Sequence, residues 1–444
     1  MGWLGILRLG LVQAGLGAIV VLTTSTLNRV MIIELHLPAI VPGVLVGLHY
    51  SVQVLRPRLG YGSDLGGRRT PWIVGGMAGL ALGATAAAGS VAVMGTHLLP
   101  GIGLALLAFL AVGVGVGAAG TSVLTLLAQK VEPRLRAPAA TIVWLMMLAG
   151  IAVTATVAGR LLDPFGPLRL IAVVGGAAAV AFAVASLAVR GIEGPAAASP
   201  APGAAASPAP AAAASPGFIV ALREIWAERQ ARSFAVFVFL SMLAYSAQEL
   251  VIEPFAGAVF RLTPGQSTGL TGLHHAGVLG GMALVAVCGF AMGSFSRRAM
   301  RAWTVGGCAG SAVAALGLAL AGMAGPDAPL RSAVLVLGIA NGAFAVAAIG
   351  SMMGLASAGR SSREGTRVGL WGAAQALAFG AGGLVGTGAS DLMKLIFGDP
   401  AVAYGVVFVL EAALFAASAL LATRVFRGAE PAGMSNEAIA MVRA

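Results

Sequence analysis

Residues 48–76 read LHYSVQVLRPRLGYGSDLGGRRTPWIVGG, two apolar runs enclosing a short stretch that carries Arg56, Arg58, Arg68 and Arg69. Arginine confined to a hinge between greasy segments marks a cytoplasmic connection between two membrane helices, because Lys and Arg are retained on the cytoplasmic side of a bilayer. The rest of the chain agrees with that reading. Of its 444 residues 58% are hydrophobic and 10% charged, with a mean hydropathy of +0.93. A soluble fold of this length needs far more charge to cover its surface. Apolar runs of about 20 residues, enough to span a bilayer as a helix, recur from end to end. The 64 glycines suit membrane helices, which associate through close backbone approach at small residues.

The pattern predicts an all-α polytopic membrane protein with helices at 9–33, 39–56, 71–94, 98–128, 138–160, 168–189, 232–253, 268–293, 302–324, 330–357, 367–390 and 400–423. With the N-terminus inside, all but six of the 27 Lys and Arg residues fall on the cytoplasmic side; the six are Arg29, Arg160, Arg169, Arg261, Arg331 and Lys394. Both termini are therefore expected in the cytoplasm. The net charge of +11 faces anionic lipid, so the partner is the bilayer and no nucleic acid is needed. Cys288 and Cys308 both fall within predicted spans, with no disulfide framework or metal-ligand spacing. The first apolar run is too long for a signal peptide and is read as helix 1.

The two halves repeat each other. Leu48-His49-Tyr50 matches Leu273-His274-His275, Gly60 to Arg69 matches Gly289 to Arg298, and Trp72 and Gly75-Gly76 match Trp303 and Gly306-Gly307. Trp144 and Gly159 likewise match Trp371 and Gly386. These offsets stay between 225 and 231, as a duplicated six-helix bundle requires. The expected organisation is an N-terminal bundle (1–192), a disordered linker (193–217), an interfacial amphipathic helix (218–231), a C-terminal bundle (232–428) and a cytoplasmic tail (429–444). The linker contains PAAASPAPGAAASPAPAAAASPG at 195–217, a composition unable to bury a core. FIVALREIWAERQAR (218–232) alternates apolar and charged residues at helical spacing and is expected to lie on the membrane surface. Parallel repeats place a substrate site between the halves near the membrane midplane.

Gly60-x-x-x-Asp64 followed by Gly67-Arg68-Arg69 resembles the loop between helices 2 and 3 of major facilitator superfamily transporters, with Leu65 standing where that pattern usually has a basic residue. The resemblance implies a twelve-helix major facilitator fold, two six-helix bundles in pseudo-twofold repeat. It also implies that Gly60, Asp64, Gly67, Arg68 and Arg69 form a gating motif bracing the cytoplasmic ends of the bundles. The second loop has Gly293 where the first has Asp64, so only the first can form that lock. The plain alternative is a topological anchor with no moving part.

Ionisable and polar side chains inside spans are candidates for function because they are costly there. Helix 1 ends in Asn28-Arg29-Val-Met-Ile-Ile-Glu34. Arg29 and Glu34 are five apart, off the i, i+4 register, and both snorkel at the outer end in the plain reading, with Glu34 a candidate for proton coupling; Asn28 is a candidate substrate contact. Helix 7 carries Glu249 and Glu253 at i, i+4, a like-charged pair usable for proton coupling, although Glu253-Pro254 equally reads as a helix end. His49 and His274, equivalent by the repeat, are candidate axial ligands for the metal of a planar macrocycle, against ordinary hydrogen bonding to backbone. Trp144 and Trp371 either floor a cavity for a flat ligand or pack between helices. Gln13, Gln53, Asn341, Gln375 and Glu411 are weaker single candidates. The five aspartates include no closely spaced pair of the kind that holds Mg²⁺ and diphosphate, so neither catalysis nor a metal site is expected.

RLGLVQAGLGAIVVLTTSTLNRVMIIEL (8–35) and VLRPRLGYGSDLGGRRTPWIVGG (54–76) resemble the PucC/LhaA family, the bacteriochlorophyll-delivery branch of the major facilitators. The string from Thr26 to Leu35 is the most telling piece, and the GYGSD…GGRRTPW wording is nearest to the sub-branch once labelled a bacteriochlorophyll synthase subunit. The resemblance implies a carrier or assembly factor for bacteriochlorophyll in the inner (intracytoplasmic) membrane of a photosynthetic bacterium. Its partners would be antenna apoproteins or pigment-synthesis enzymes, with the pigment or a precursor as bound ligand and no catalytic cofactor. An apolar pigment suits helices whose interior is Leu, Val, Ala, Phe and Gly with one or two polar anchors. The rivals are a proton-coupled exporter of a small amphipathic molecule and a non-transporting scaffold.

Overall fold

A computed structural model describes residues 1–52, 68–132, 136–193, 223, 226–291, 297–357 and 364–427. They form twelve helices: α1 (Trp3–Glu34), α2 (Ile40–Ser51), α3 (Thr70–Met94), α4 (Leu98–Lys130), α5 (Arg136–Leu161), α6 (Pro167–Val189), α7 (Arg229–Phe260), α8 (Pro264–Ala291), α9 (Arg297–Ala324), α10 (Leu330–Ser357), α11 (Glu364–Phe397) and α12 (Pro400–Arg427). Among the described residues ten of them are long and apolar enough to cross a membrane. A chain in lipid must satisfy its backbone internally, which is why these apolar runs fold as helices. Several starts are written locally. Pro71, Pro167, Pro264 and Pro400 stand at first turns, where a missing N–H costs nothing. Asp399 caps α12 by accepting from Ala401 N at 2.7 Å.

The bundles repeat in their packing. In the N-terminal half α1 lies on α5 and α6, α3 on α4 and α6, and α2 on α4; α7 lies on α11 and α12, α9 on α10 and α12, and α8 on α10. Between the halves α2 meets α11 and α5 meets α8, an exchange that the same pseudo-twofold produces. The all-helical major facilitator architecture follows.

Three features depart from expectation. The helix predicted to stop at Glu253 runs through Pro254 to Phe260. Neighbouring helices supply the surroundings that let a membrane helix absorb a proline. Helix 1 contains two π-helical turns, Leu22–Thr26 and Val30–Glu34. Wider turns bring i and i+5 onto one face, so Arg29 and Glu34 pair, and Arg29 is only 2% exposed instead of snorkelling. Finally, α7 begins at Arg229, inside the segment read as an interfacial helix. Most of 218–228 lies outside the described residues, as do the 195–217 tract and the 429–444 tail.

Candidate functional site

The molecule has a basic end, where Met1 donates to Lys130 O at 2.7 Å and Arg8 to Ala188 O at 2.9 Å. At a rise of 1.5 Å per residue, Tyr50 of α2 and His274 of α8 lie roughly 15 Å, and Tyr245 of α7 roughly 22 Å, from the opposite, distal ends of their helices, at about mid-height. There a row of rings crosses from one bundle to the other. His49 meets Tyr50 at 4.9 Å between centroids, Tyr50 meets Phe379 at 5.6 Å, Phe379 meets Tyr245 at 6.0 Å, and Tyr245 meets His274 at 6.3 Å. The middle three rings are half-buried and both histidines buried. The row thus leaves part of its three central rings uncovered and keeps its imidazoles buried.

His274 is tied into its own bundle. Its Nε2 lies 3.4 Å from the Gln248 carboxamide nitrogen and 3.3 Å from that of Asn341, whose Oδ1 faces Ser311 Oγ at 2.8 Å. Both carboxamide nitrogens therefore stand against Nε2, one of the two ring nitrogens through which an imidazole can bind a metal. His275, next along α8, points the other way. Its Nδ1 is 3.0 Å from Thr271 O and its Nε2 3.7 Å from a Glu249 oxygen, while Thr271 Oγ1 donates to Glu253 at 2.5 Å. The i, i+4 carboxylates of α7 are thus bridged through α8 and do not simply face each other. That bridge has no counterpart in the spacing of residues along either helix.

Each bundle also sets a half-buried carboxamide against a methionine sulfur between its first and fifth helices, Gln13 with Met147 at 3.4 Å and Gln375 with Met242 at 4.0 Å. Sulfur is a weak acceptor, so these amides stay available to a better partner. The tryptophans, equivalent in sequence, diverge. Trp144 is 39% exposed, whereas Trp371 is 1% exposed, donates to Ala231 O and stacks edge-on against Phe234 at 4.8 Å. Asn28 is buried and donates to Leu250 O across the bundles at 2.7 Å; Arg29 pairs with Glu34 and donates to Leu262 O at 2.7 Å. These groups join the bundles on the distal side of the ring row.

Of the gating motif, Gly60, Asp64 and Gly67 lie outside the described residues, as does Gln53. Arg68 is exposed and Arg69 buried. Glu193, the first residue of the linker expected from the sequence, anchors Arg69 and Thr70. Its carboxylate accepts from Arg69 N at 2.5 Å, Thr70 N at 2.9 Å and Thr70 Oγ1 at 2.6 Å, capping α3. Partial burial raises its pKa, but the Thr70 hydroxyl, the two amides and the Arg68 charge outweigh that and hold it below the ordinary value. A lone acid between an arginine-rich bundle end and an uncharged tract was the available signal.

A family model described as PUCC protein matches residues 26–430. The "Bacteriochlorophyll synthase 44.5 kDa chain" of Rhodobacter capsulatus is 50% identical over 441 residues, 98% of this chain and 100% of that one. Protein PucC of Cereibacter sphaeroides is 29% identical over 438 residues, 92% of this chain and 88% of the relative. Among solved structures, a bacterial homologue of the human lysosomal transporter Spinster, inward-facing and unoccupied, superposes with a TM-score of 0.72 at 16% identity, covering 95% of this chain and 96% of that one. The nucleoside transporter NupG superposes with a TM-score of 0.66 at 13% identity, covering 95% and 100%. These last two share the fold.

Proposed function

The chain belongs to the PucC family, and from that premise we propose that it carries or places bacteriochlorophyll, or a close precursor, during assembly of light-harvesting complexes. Family membership supports a role in the photosynthetic pigment context, and the fold fits a transporter. The observation that carries the finer reading is the ring row Tyr50–Phe379–Tyr245, aromatic surface at mid-height where the bundles meet. A flat macrocycle stacks on such rings with its isoprenoid chain against apolar helix, and Gln13 and Gln375 stand as polar anchors. The pigment is cargo in this reading, not a resident cofactor. His274 contributes by stiffening Tyr245's surroundings, since its Nε2 is engaged by Gln248 and Asn341. No chemistry is assigned to the chain, and the word synthase stays with the relative that bears it. By the charge asymmetry both termini face the cytoplasm, and the basic end meets the membrane's inner leaflet.

Purification from a pigment-making host tests this. The wild-type protein is expected to carry bacteriochlorophyll absorption that Tyr245→Ala with Phe379→Ala removes and Trp371→Phe keeps. Colourless wild-type protein from such a host overturns the reading and leaves a scaffold. A second reading, proton-coupled export of an amphipathic molecule, is favoured by the Glu253–Thr271–His275–Glu249 chain. It requires pH-driven uptake into proteoliposomes that Glu249→Gln with Glu253→Gln abolishes.

A further inference from the structure

At the distal end two carboxylates cross from one bundle to the other, and each lands on a helix start. Asp163, just past α5, accepts from Thr263 Oγ1 at 2.6 Å and from Gly265 N at 3.2 Å, at the first turn of α8. Thr263 is itself half of a capping box. Gln266 N donates to its hydroxyl at 3.1 Å and its own N–H donates to Gln266 Oε1 at 3.1 Å. Asp391 of α11 accepts from Ala39 N at 2.9 Å and Ile40 N at 2.8 Å, at the start of α2. In both cases the fifth helix of one bundle caps the second helix of the other. Asp163 and Asp391 stand 228 positions apart, within the 225–231 spread of the repeat.

We propose that Asp163 and Asp391 form a symmetry-related pair of latches that hold the distal face shut and release together when the bundles rock apart. The first N–H groups of a helix lack intrahelical acceptors and carry its positive dipole end, so a carboxylate there satisfies both at once. Those donors belong to the other bundle, so the bonds exist only while the distal ends touch. The helices are close enough to make this a tight seam: a methyl on Gly159 would lie 2.6 Å from Gly265 O and 2.7 Å from Gly269 N. Equivalence under the pseudo-twofold means that one rotation strains both latches equally, which favours two discrete states over gradual opening. Thr26 with Thr268 at 3.1 Å, Asn28 with Leu250 O, and Arg29 with Leu262 O add to the seal without that symmetry.

The test uses the full chain in nanodiscs with Cys288→Ala and Cys308→Ala, spin-labelled at Thr96→Cys and Asp327→Cys, exposed positions on the distal α3–α4 and α9–α10 connections. Electron–electron distance measurements are expected to show one short distance in the parent. Either Asp163→Asn or Asp391→Asn shifts the closed-to-open ratio about tenfold toward a longer distance, and both together about a hundredfold, as charge-assisted hydrogen bonds of ordinary strength imply. A double variant that keeps the parent's distribution overturns the proposal. Should the double variant not fold, the single variants decide, because either one with an unchanged distance overturns it equally. The readout is independent of pigment, so its failure leaves the cargo reading where it stood.

Discussion

Among the described residues one apolar cluster runs through the N-terminal bundle from Ile6 to Val189 and takes in Leu250 of α7, whereas the C-terminal bundle divides mainly into two, one around Phe234, Phe344 and Phe415 and one around Phe255, Leu318 and Phe408, with Val278 and Met282 packed against Leu148 of the first bundle. Between those two lie Gln248 on α7, His274 on α8, Ser311 on α9, Asn341 on α10 and Glu411 on α12, all buried. Five helices thus contribute one polar group each to a layer at mid-height. In the first bundle the buried polar groups gather instead on α1, at Thr23, Ser25, Thr26, Asn28 and Arg29, with His49 on α2, Ser90 on α3 and Ser122 on α4. A duplicated fold does not duplicate its interior. Buried polar groups cost free energy unless paired, so a layer of them persists where it specifies a geometry, here the backing of Tyr245.

The sharpest way to break this contrast is to install a polar group in the unbroken core. Leu80→Asn, at a site with no exposure, is expected to cost about 3 kcal/mol or more, because both terminal methyls give way to an amide that finds no partner in the apolar core. Denaturant unfolding in detergent measures it. His274→Leu in the layer is expected to cost about 2 kcal/mol, since Gln248 and Asn341 lose a shared partner. Unlike the first change it should also weaken pigment retention. Glu411 differs from its neighbours in the layer: among the described residues neither carboxylate oxygen finds a hydrogen-bond partner, at 2% exposure. Glu411→Met is therefore expected to stabilise by about 1 kcal/mol, read as a higher melting temperature; a loss of stability would reveal a partner and extend the layer.

The smallest effect concerns the polar group at the basic end. Glu193 has a lowered folded-state pKa, so its contribution to stability is present above the ordinary carboxylate value of 4.5 and fades as pH falls through the lower folded value. Melting temperature followed from pH 7 downward should show an acid limb that Glu193→Gln removes. An identical acid limb in both proteins would mean that the α3 cap does not govern this end.

The helices, the duplication and the equivalent places of His49 on α2 and His274 on α8 were legible because they rest on run length, composition and spacing along the chain. The environment of each matched residue was not. Trp144 and Trp371 occupy equivalent positions, yet one faces outward and the other is wedged against Phe234, since the flanking side chains rotate and fill the two bundles differently. Glu193 is silent in the sequence because a single acid acquires meaning only when the start of α3, more than a hundred residues away in sequence, is brought to it. Pro254 read as a stop because an isolated helix ends there, and a packed membrane helix need not.

Membership of the membrane class, the helix count and the internal repeat follow from the chain alone, because lipid forces every apolar run of sufficient length to satisfy its own backbone. The Arg29–Glu34 pair, the split core of the second bundle and the Asp163 and Asp391 crossings needed the folded molecule. Each depends on a local widening of a helical turn, or on helices far apart in sequence meeting at one height. Neither a π turn nor a helix's rotation about its axis is encoded in hydropathy, which records how greasy a segment is and not what it touches.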